Sequence, residues 1–237
     1  MIELRDQIAL ITGASGGIGS AIALALAAEG VRLFLVGRDV ERLNDLAERA
    51  WERSPTVEVV QADLADDNHL FEVVARAKEV DILVHSIGLF RGGPLETAPV
   101  KDLDDQYRVN VRIPYLLTQA LLPSLIERQG QVVFVNSSTG AGPVKGNWGA
   151  YAATKHALRA LAEAFRTEVN PHGVRVMTVF PGRTATAMQE EVHRFEGRPY
   201  DPGRFLQPED VAGQVVQALR LPRTAELTDL HIRPMKS

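Results

Sequence analysis

Short apolar runs alternate along the chain with stretches whose apolar residues recur at helical spacing. Ile8–Ile11 is apolar throughout and leads into glycines, the pattern of a buried strand. Ile18–Glu29 is rich in Ala, Leu and Ile and stops at Gly30, as a helix with a glycine at its C-terminal end does. Arg32–Val36 reads as a second strand, and Asp39 as the N-cap of a helix running to Ala50. The pattern then predicts a strand over Val57–Gln61, a helix over Asp66–Ala77 and a strand over Asp81–His85. A long helix from about Leu103 to Arg128 follows, then the strand Gln131–Asn136, the helix Tyr151–Val169 and the strand Val174–Phe180. Pro208 opens a last helix that ends near Arg220, and Glu226–Ile232 forms a final strand. One stretch, Arg183 to Gln207, shows no regular pattern; a loop that long usually has a task, such as covering a site.

Strand–helix alternation of this kind predicts an α/β fold, a doubly wound parallel sheet with helices on both faces joined by right-handed crossovers. The chain has 237 residues and carries no Gly/Pro/Ser-rich linker, so residues 1–237 read as a single domain with one long segment, 183–207, over the substrate side. Apolar residues at 45% and charged residues at 24% are an ordinary globular balance. A formal net charge of −4 argues against nucleic acid as a partner, because no basic excess would neutralise phosphates. Absence of cysteine excludes disulfides and a thiol nucleophile, and the six histidines show no ligand spacing, so no metal is expected. The start, Met1–Asp6, is too charged for a signal peptide, and the apolar run Ala21–Ala28 is too short to span a bilayer. The expectation is a cytoplasmic protein that does not enter the membrane.

Two sets of residues carry chemistry. The first is Thr12-Gly13-Ala14-Ser15-Gly16-Gly17-Ile18-Gly19, between the first strand and the first helix. Glycines there let the backbone turn tightly and approach a pyrophosphate, which the helix N-terminus would hold by its unpaired N–H groups and partial positive charge. The second is Tyr151-Ala152-Ala153-Thr154-Lys155. Four residues apart on a helix, the phenol and the ammonium share one face. The ammonium is expected to lower the phenol's pKa, making the pair a general acid for carbonyl reduction or a base for alcohol oxidation. Ser138 lies thirteen residues before Tyr151, just past an apolar strand, in the crevice where open α/β sheets bind ligands. Its hydroxyl could donate to a substrate oxygen as charge develops there; Ser137 is the neighbouring candidate.

Together, the glycine turn Gly13-x-x-x-Gly17-x-Gly19 and the Ser138…Tyr151-x-x-x-Lys155 spacing resemble the short-chain dehydrogenase/reductase family over roughly Gln7 to Pro234. The resemblance implies a Rossmann-type fold and the catalytic set Asn110, Ser138, Tyr151 and Lys155. Ser138 polarises the substrate, Tyr151 transfers the proton, Lys155 binds the ribose and tunes Tyr151, and Asn110 holds a water linked to Lys155. Pro114, four residues after Asn110, has no N–H to give the Asn110 carbonyl, which predicts a free carbonyl and a kink at that place. The cofactor cradle implied is Gly13, Ser15, Gly17, Ile18, Gly19, Asp63, Leu64, Gly88, Tyr151 and Lys155. It is completed by Pro181, Gly182, Thr184 and Thr186 of a Pro-Gly-x-x-x-Thr element.

Dinucleotide domains that bind NAD usually place an acid after the second strand to receive the ribose 2′-hydroxyl. Here Gly37 stands where the family's NAD enzymes carry Asp, and Arg38 follows. A guanidinium clamps a 2′-phosphate that an Asp would repel, so the expected cofactor is NADP(H), preferred over NAD(H). The competing reading leaves Arg38 in solvent and gives the ribose to Asp39. After the fourth strand the family's usual Asn-Asn-Ala-Gly is replaced by His85-Ser86-Ile87-Gly88; Gly88 is kept, and His85 reads as a hydrogen-bonded structural residue or a second proton carrier. Pocket walls are expected from Phe90, the stretch from Gly140 to Trp148 and the 183–206 segment, with Trp148, Phe180, Met188 and Phe195 as apolar surface. The expected substrate is a small ketone, aldehyde or 3-oxo compound. The alternatives are an NADP⁺-dependent alcohol dehydrogenase and a non-catalytic NADP(H) sensor. The resemblance also implies a homodimer or homotetramer paired through the helices at Leu103–Arg128 and Tyr151–Val169.

Overall fold

The computed structural model describes Met1–Met235. Seven strands form one parallel sheet: β1 (Ile8–Thr12), β2 (Arg32–Gly37), β3 (Val57–Gln61), β4 (Ile82–His85), β5 (Gln131–Val135), β6 (Arg175–Pro181) and β7 (Asp229–Ile232). They lie in the order β3-β2-β1-β4-β5-β6-β7. This is the single-domain Rossmann-type sheet the alternation predicts, with its order reversing between β1 and β4.

Every residue of β1, β4, β5 and β6 is buried, because helices cover both faces. Side chains alternate between the two layers. Ala9, Ile11, Ile82, Val84, Val133 and Val135 face α1 (Gly17–Ala28), α2 (Val40–Trp51) and α8 (Pro208–Leu219). Leu10, Leu83, Val132 and Phe134 face α3 (Asp67–Arg76), α5 (Ile113–Glu127) and α6 (Gly149–Val169). Two dry layers therefore hold the C-terminal strand ends in register, and those ends carry the site.

Three elements differ from the sequence expectation. The helix expected over Leu103–Arg128 is α4 (Val100–Tyr107), a π-helical turn at Arg108–Arg112, and α5. At the turn's end the Ile113 N–H bonds back to the Arg108 carbonyl, one residue further than in an α-helix. Pro114 is the cause that the sequence supplies, since it cannot donate to Asn110. The stretch expected to be irregular contains α7 (Ala187–Glu196), whose first turn is capped by the Thr186 hydroxyl accepting from Gln189 N–H at 3.2 Å. Its signal was Met188, Val192 and Phe195 at helical spacing, masked by the polar residues between them. Finally, β7 is shorter than expected because Glu226 turns inward: its carboxylate accepts from Val176 N–H at 2.7 Å, outside the strand pairing. No helix among the described residues is long and apolar enough to cross a membrane.

Candidate active site

The glycine turn closes β1 onto α1. Gly13 has φ +65°, and a Cβ there would sit 2.8 Å from Ile87 N and Ser86 O, so only glycine lets this turn lie against the loop after β4. Gly16 caps α1 with no side chain, and the first turn holds no acid. The bare N–H groups of that turn suit an anion. At Gly17 a Cβ would come within 2.7 Å of the Thr186 methyl, so the segment before α7 rests directly on the turn. Gly19 does not line the cleft; it is buried against the Gly13 carbonyl and packs the helix onto the turn.

From this turn a cleft of about 940 Å³ runs over the strand ends to Ser15, Gly37, Arg38, Asp39, Arg42, Ala62 and Leu64 on one side, and to Ser86, Ile87, Gly88, Tyr151 and Lys155 on the other. A Cβ at Gly37 would lie 3.0 Å from Ser15 Oγ, so an Asp here would crowd the hydroxyl. Asp39 also lines the cleft, with its carboxylate already partnered. Its carboxylate accepts from Arg42 N–H at 3.1 Å and pairs with the Arg42 guanidinium at 3.2 Å, capping α2. Arg42 also lines the cleft, a second cation that the sequence reading missed. Asp63 does not line it: its carboxylate accepts from Ala65 N–H at 3.1 Å in a turn, and the neighbours Ala62 and Leu64 form the wall.

Tyr151 and Lys155 are both buried on α6. Burial pushes the Tyr151 phenol up to about 12, against a hydrogen bond from Ser137 that draws it down. The expected lowering by Lys155 is not the governing effect. Its ammonium lies 5.8 Å from the ring centre and over the Tyr151 face, and burial brings its own pKa down to about 8. The structure also selects between the two serines. Ser137 is half-buried and meets the phenol, whereas Ser138 is exposed at the start of a short 3₁₀ turn, although both line the neighbouring cavity. Ser138, thirteen residues before Tyr151, opens that turn.

The turn of α6 that carries Tyr151 and Lys155 is held from two sides. Asn110, fully buried in the π-helical turn, donates to Thr154 Oγ1 at 3.0 Å and to the Leu89 carbonyl at 2.9 Å, and accepts from Leu89 N–H at 2.8 Å. Thr154 in turn donates to the Tyr151 carbonyl at 2.8 Å. On the other side Asn136 donates to the Lys155 carbonyl at 3.0 Å. Neither Asn136 nor Thr154 was expected; their polarity next to Ser137 and Tyr151 was the available signal. At Gly88 a Cβ would lie 3.7 Å from Asn110 Oδ1 and 3.8 Å from Lys155 Nζ, which puts these three residues together. His85 is structural. It is buried, bonds Thr118 Oγ1 through Nε2 at 2.8 Å, stacks on Phe134 at 4.9 Å, and burial takes its pKa down to about 3, leaving it neutral.

Beyond Tyr151 lies a second cavity of about 420 Å³. Phe90, Trp148, Met188 and Val192 form its apolar side, and Ser137, Lys145, Arg183 and Gln189 its polar side. Phe90 packs edge-on against Tyr151 at 5.2 Å and Phe195 at 5.7 Å. Phe180 takes no part; it is buried in the sheet and stacks on His231 at 4.7 Å. Pro181, Gly182 and Thr184 line this cavity rather than the longer cleft, while Ile18, Asn136, Tyr151, Thr186 and Met188 line both. The two cavities thus share a wall, and Tyr151 is on it.

The short chain dehydrogenase family model matches residues 7–197. The chain belongs to this family of oxidoreductases, the short-chain dehydrogenase/reductases. It is similar to an uncharacterized short-chain type dehydrogenase/reductase of Sinorhizobium fredii, 35% identical over 235 residues, covering 97% of this chain and 92% of the relative. Among solved structures, an alcohol dehydrogenase from the archaeon Thermococcus sibiricus, complexed with 5-hydroxy-NADP, aligns with TM-score 0.85 at 29% identity over 98% of each chain. An actinorhodin polyketide ketoreductase variant with NADPH aligns with TM-score 0.87 at 26% identity over 98% of this chain and 97% of that one.

Proposed function

We propose that this protein is an NADP(H)-dependent carbonyl reductase acting on a small ketone, aldehyde or 3-oxo compound. The observation that carries the reading is Tyr151 on the wall common to a dinucleotide-sized cleft and a smaller, half-apolar cavity. The residues present fit a nicotinamide dinucleotide: an uncapped helix N-terminus for the pyrophosphate, Gly37 where an acidic side chain would crowd Ser15, and Arg38 and Ser15 lining the same cleft for a 2′-phosphate. Thr186, which lines both cavities, would meet the nicotinamide end, and Lys155 the ribose. A reduced nicotinamide supplies a hydride when bound.

This chain's own residues do the rest. Ser137 donates to the substrate carbonyl oxygen and stabilises the charge that grows there. Tyr151 hands its proton to that oxygen, so that hydride at carbon and proton at oxygen give the alcohol. With burial holding it up at about 12, the phenol is protonated at neutral pH, the form that donates in reduction. Lys155, charged below about 8, steadies the phenolate that remains. The Asn110 carbonyl, to which Pro114 cannot donate, would hold a water linked to Lys155. A cofactor sensor would have no use for a buried proton donor facing a second cavity. Exposed Leu103, Tyr107 and Tyr115 on α4 and α5 support a homodimer or homotetramer, for which light scattering is the test.

The decisive experiment follows NADPH consumption over a panel of ketones, aldehydes and 3-oxo esters for the wild type and Tyr151→Phe. Turnover is expected to fall by about 10³-fold in the variant while NADPH affinity stays within about threefold. Equal turnover in the two proteins would overturn the role given to Tyr151.

A further inference from the structure

The polar end of the substrate cavity carries more positive charge than its acids balance. Glu196, at the C-terminal end of α7, accepts two hydrogen bonds from Arg183, at 2.7 and 2.8 Å. Lys145 Nζ lies 3.9 Å from the same carboxylate, and Arg198 is close enough for its charge to act on it. Burial pushes the Glu196 carboxyl up, but the Arg183 hydrogen bonds and the charges of Arg183, Lys145 and Arg198 outweigh it and hold the group below the usual carboxylate range. The two other acids of α7 face cations of their own: Glu191 pairs with Arg91 at 2.9 Å, and Glu190 faces Arg194 at 4.0 Å. Three cations thus surround one carboxylate beside the cavity.

Arg183 is committed at both terminal nitrogens, one to Glu196 and the other 3.2 Å from His193 Nε2. Lys145 is not. Its side chain is 59% exposed, its ammonium sits at the limit of ion-pair distance, and it lines the cavity with its charge 5.3 Å from the Trp148 ring centre. A negative group entering the cavity can take Lys145 without breaking the Arg183–Glu196 pair, and it does so in the field of two further cations and next to low-dielectric aromatic walls.

Building on the reductase reading, we propose that Lys145 recognises a carboxylate on the substrate, so that the preferred substrates are small oxo acids whose apolar part packs against Phe90 and Trp148. The arrangement resolves the mixed chemistry of the cavity. The aromatic side takes the carbon skeleton, Ser137 and Tyr151 take the carbonyl oxygen, and the Lys145 end takes the charge. A cavity of about 420 Å³ suits a compact acid better than a long chain.

The test compares oxo acids with their primary amides, which keep the shape and remove the charge. With NADPH and wild-type protein, kcat/KM for the acid should exceed that for the amide at least tenfold, mainly through KM. In Lys145→Gln the acid-to-amide ratio should shrink to within about threefold of unity. A wild-type ratio near one, or a ratio that survives in Lys145→Gln, overturns the proposal. Calorimetric titration of NADPH-loaded Tyr151→Phe, with and without Lys145→Gln, gives a readout independent of turnover. If no panel compound is reduced, the reductase reading fails. Tighter binding of the acid than the amide, lost with Lys145, still upholds carboxylate recognition; equal binding, or none of the acid, overturns it.

Discussion

The two cavities that meet at Tyr151 are built by different means. The cofactor cleft is made of backbone: strand ends fixed by two dry layers, glycines pressed against neighbouring main chain, and a bare helix N-terminus. The substrate cavity is made of side chains on loops and on α7, tied down by the Arg183–Glu196 pair, the Thr186 cap and aromatic edges. Backbone walls cost nothing further to order once the sheet has formed, and they suit a ligand of fixed shape. Side-chain walls on an element joined by a few contacts can open at small cost, and they suit exchange of substrate and product.

The sharpest break in this comparison comes at the shared wall. Ser137→Ala should lower kcat by about 10²-fold, the loss typical of one donor to a developing oxyanion, while Ser138→Ala should change it less than threefold. Steady-state rates on the best substrate decide, and the reverse order would return the role to Ser138. At the far end of the cleft, Arg38→Ala should weaken NADPH binding by about 10- to 100-fold and leave NADH binding within twofold, because a charge-assisted contact to a 2′-phosphate is worth about 1.5–3 kcal/mol. Fluorescence titration with both cofactors is the measurement.

A pH dependence should follow from Lys155. Burial has lowered its pKa to about 8 from 10.5, so the ammonium is present below that pH and is lost as pH rises through it. NADPH affinity should therefore fall severalfold between pH 7 and 9, and Lys155→Arg, charged throughout, should flatten that profile. The smallest effect concerns α7. Glu196→Gln removes a half-shielded ion pair worth roughly 1 kcal/mol, so amide exchange in α7 should speed up about fivefold while β1, β4 and β5 keep their protection. Equal acceleration in the sheet would mean that α7 is not an independent unit.

Most of the fold was legible because buried parallel strands and amphipathic helices leave period and composition in the sequence. Ile8–Thr12, Arg32–Gly37 and Val57–Gln61 follow the expected bounds within a residue. Helix α7 was not legible: a surface helix with three apolar positions between charges reads like loop until its Thr186 cap and its aromatic partners are in place. The break in the helix after Val100 was half legible. Pro114 announced a kink, but its form as a π-helical turn depends on Asn110 being drawn to Leu89 and Thr154.

By itself the sequence determined the family, the parallel sheet, the phosphate turn and the Tyr151–Lys155 pair, because each rests on local spacing along the chain. Tertiary structure alone decided which serine meets the phenol, that Phe180 is core, and that burial rather than Lys155 governs the Tyr151 pKa. All of these depend on which groups share a small volume and how much water is left there. Residues distant in the chain settle both, and no local pattern records them.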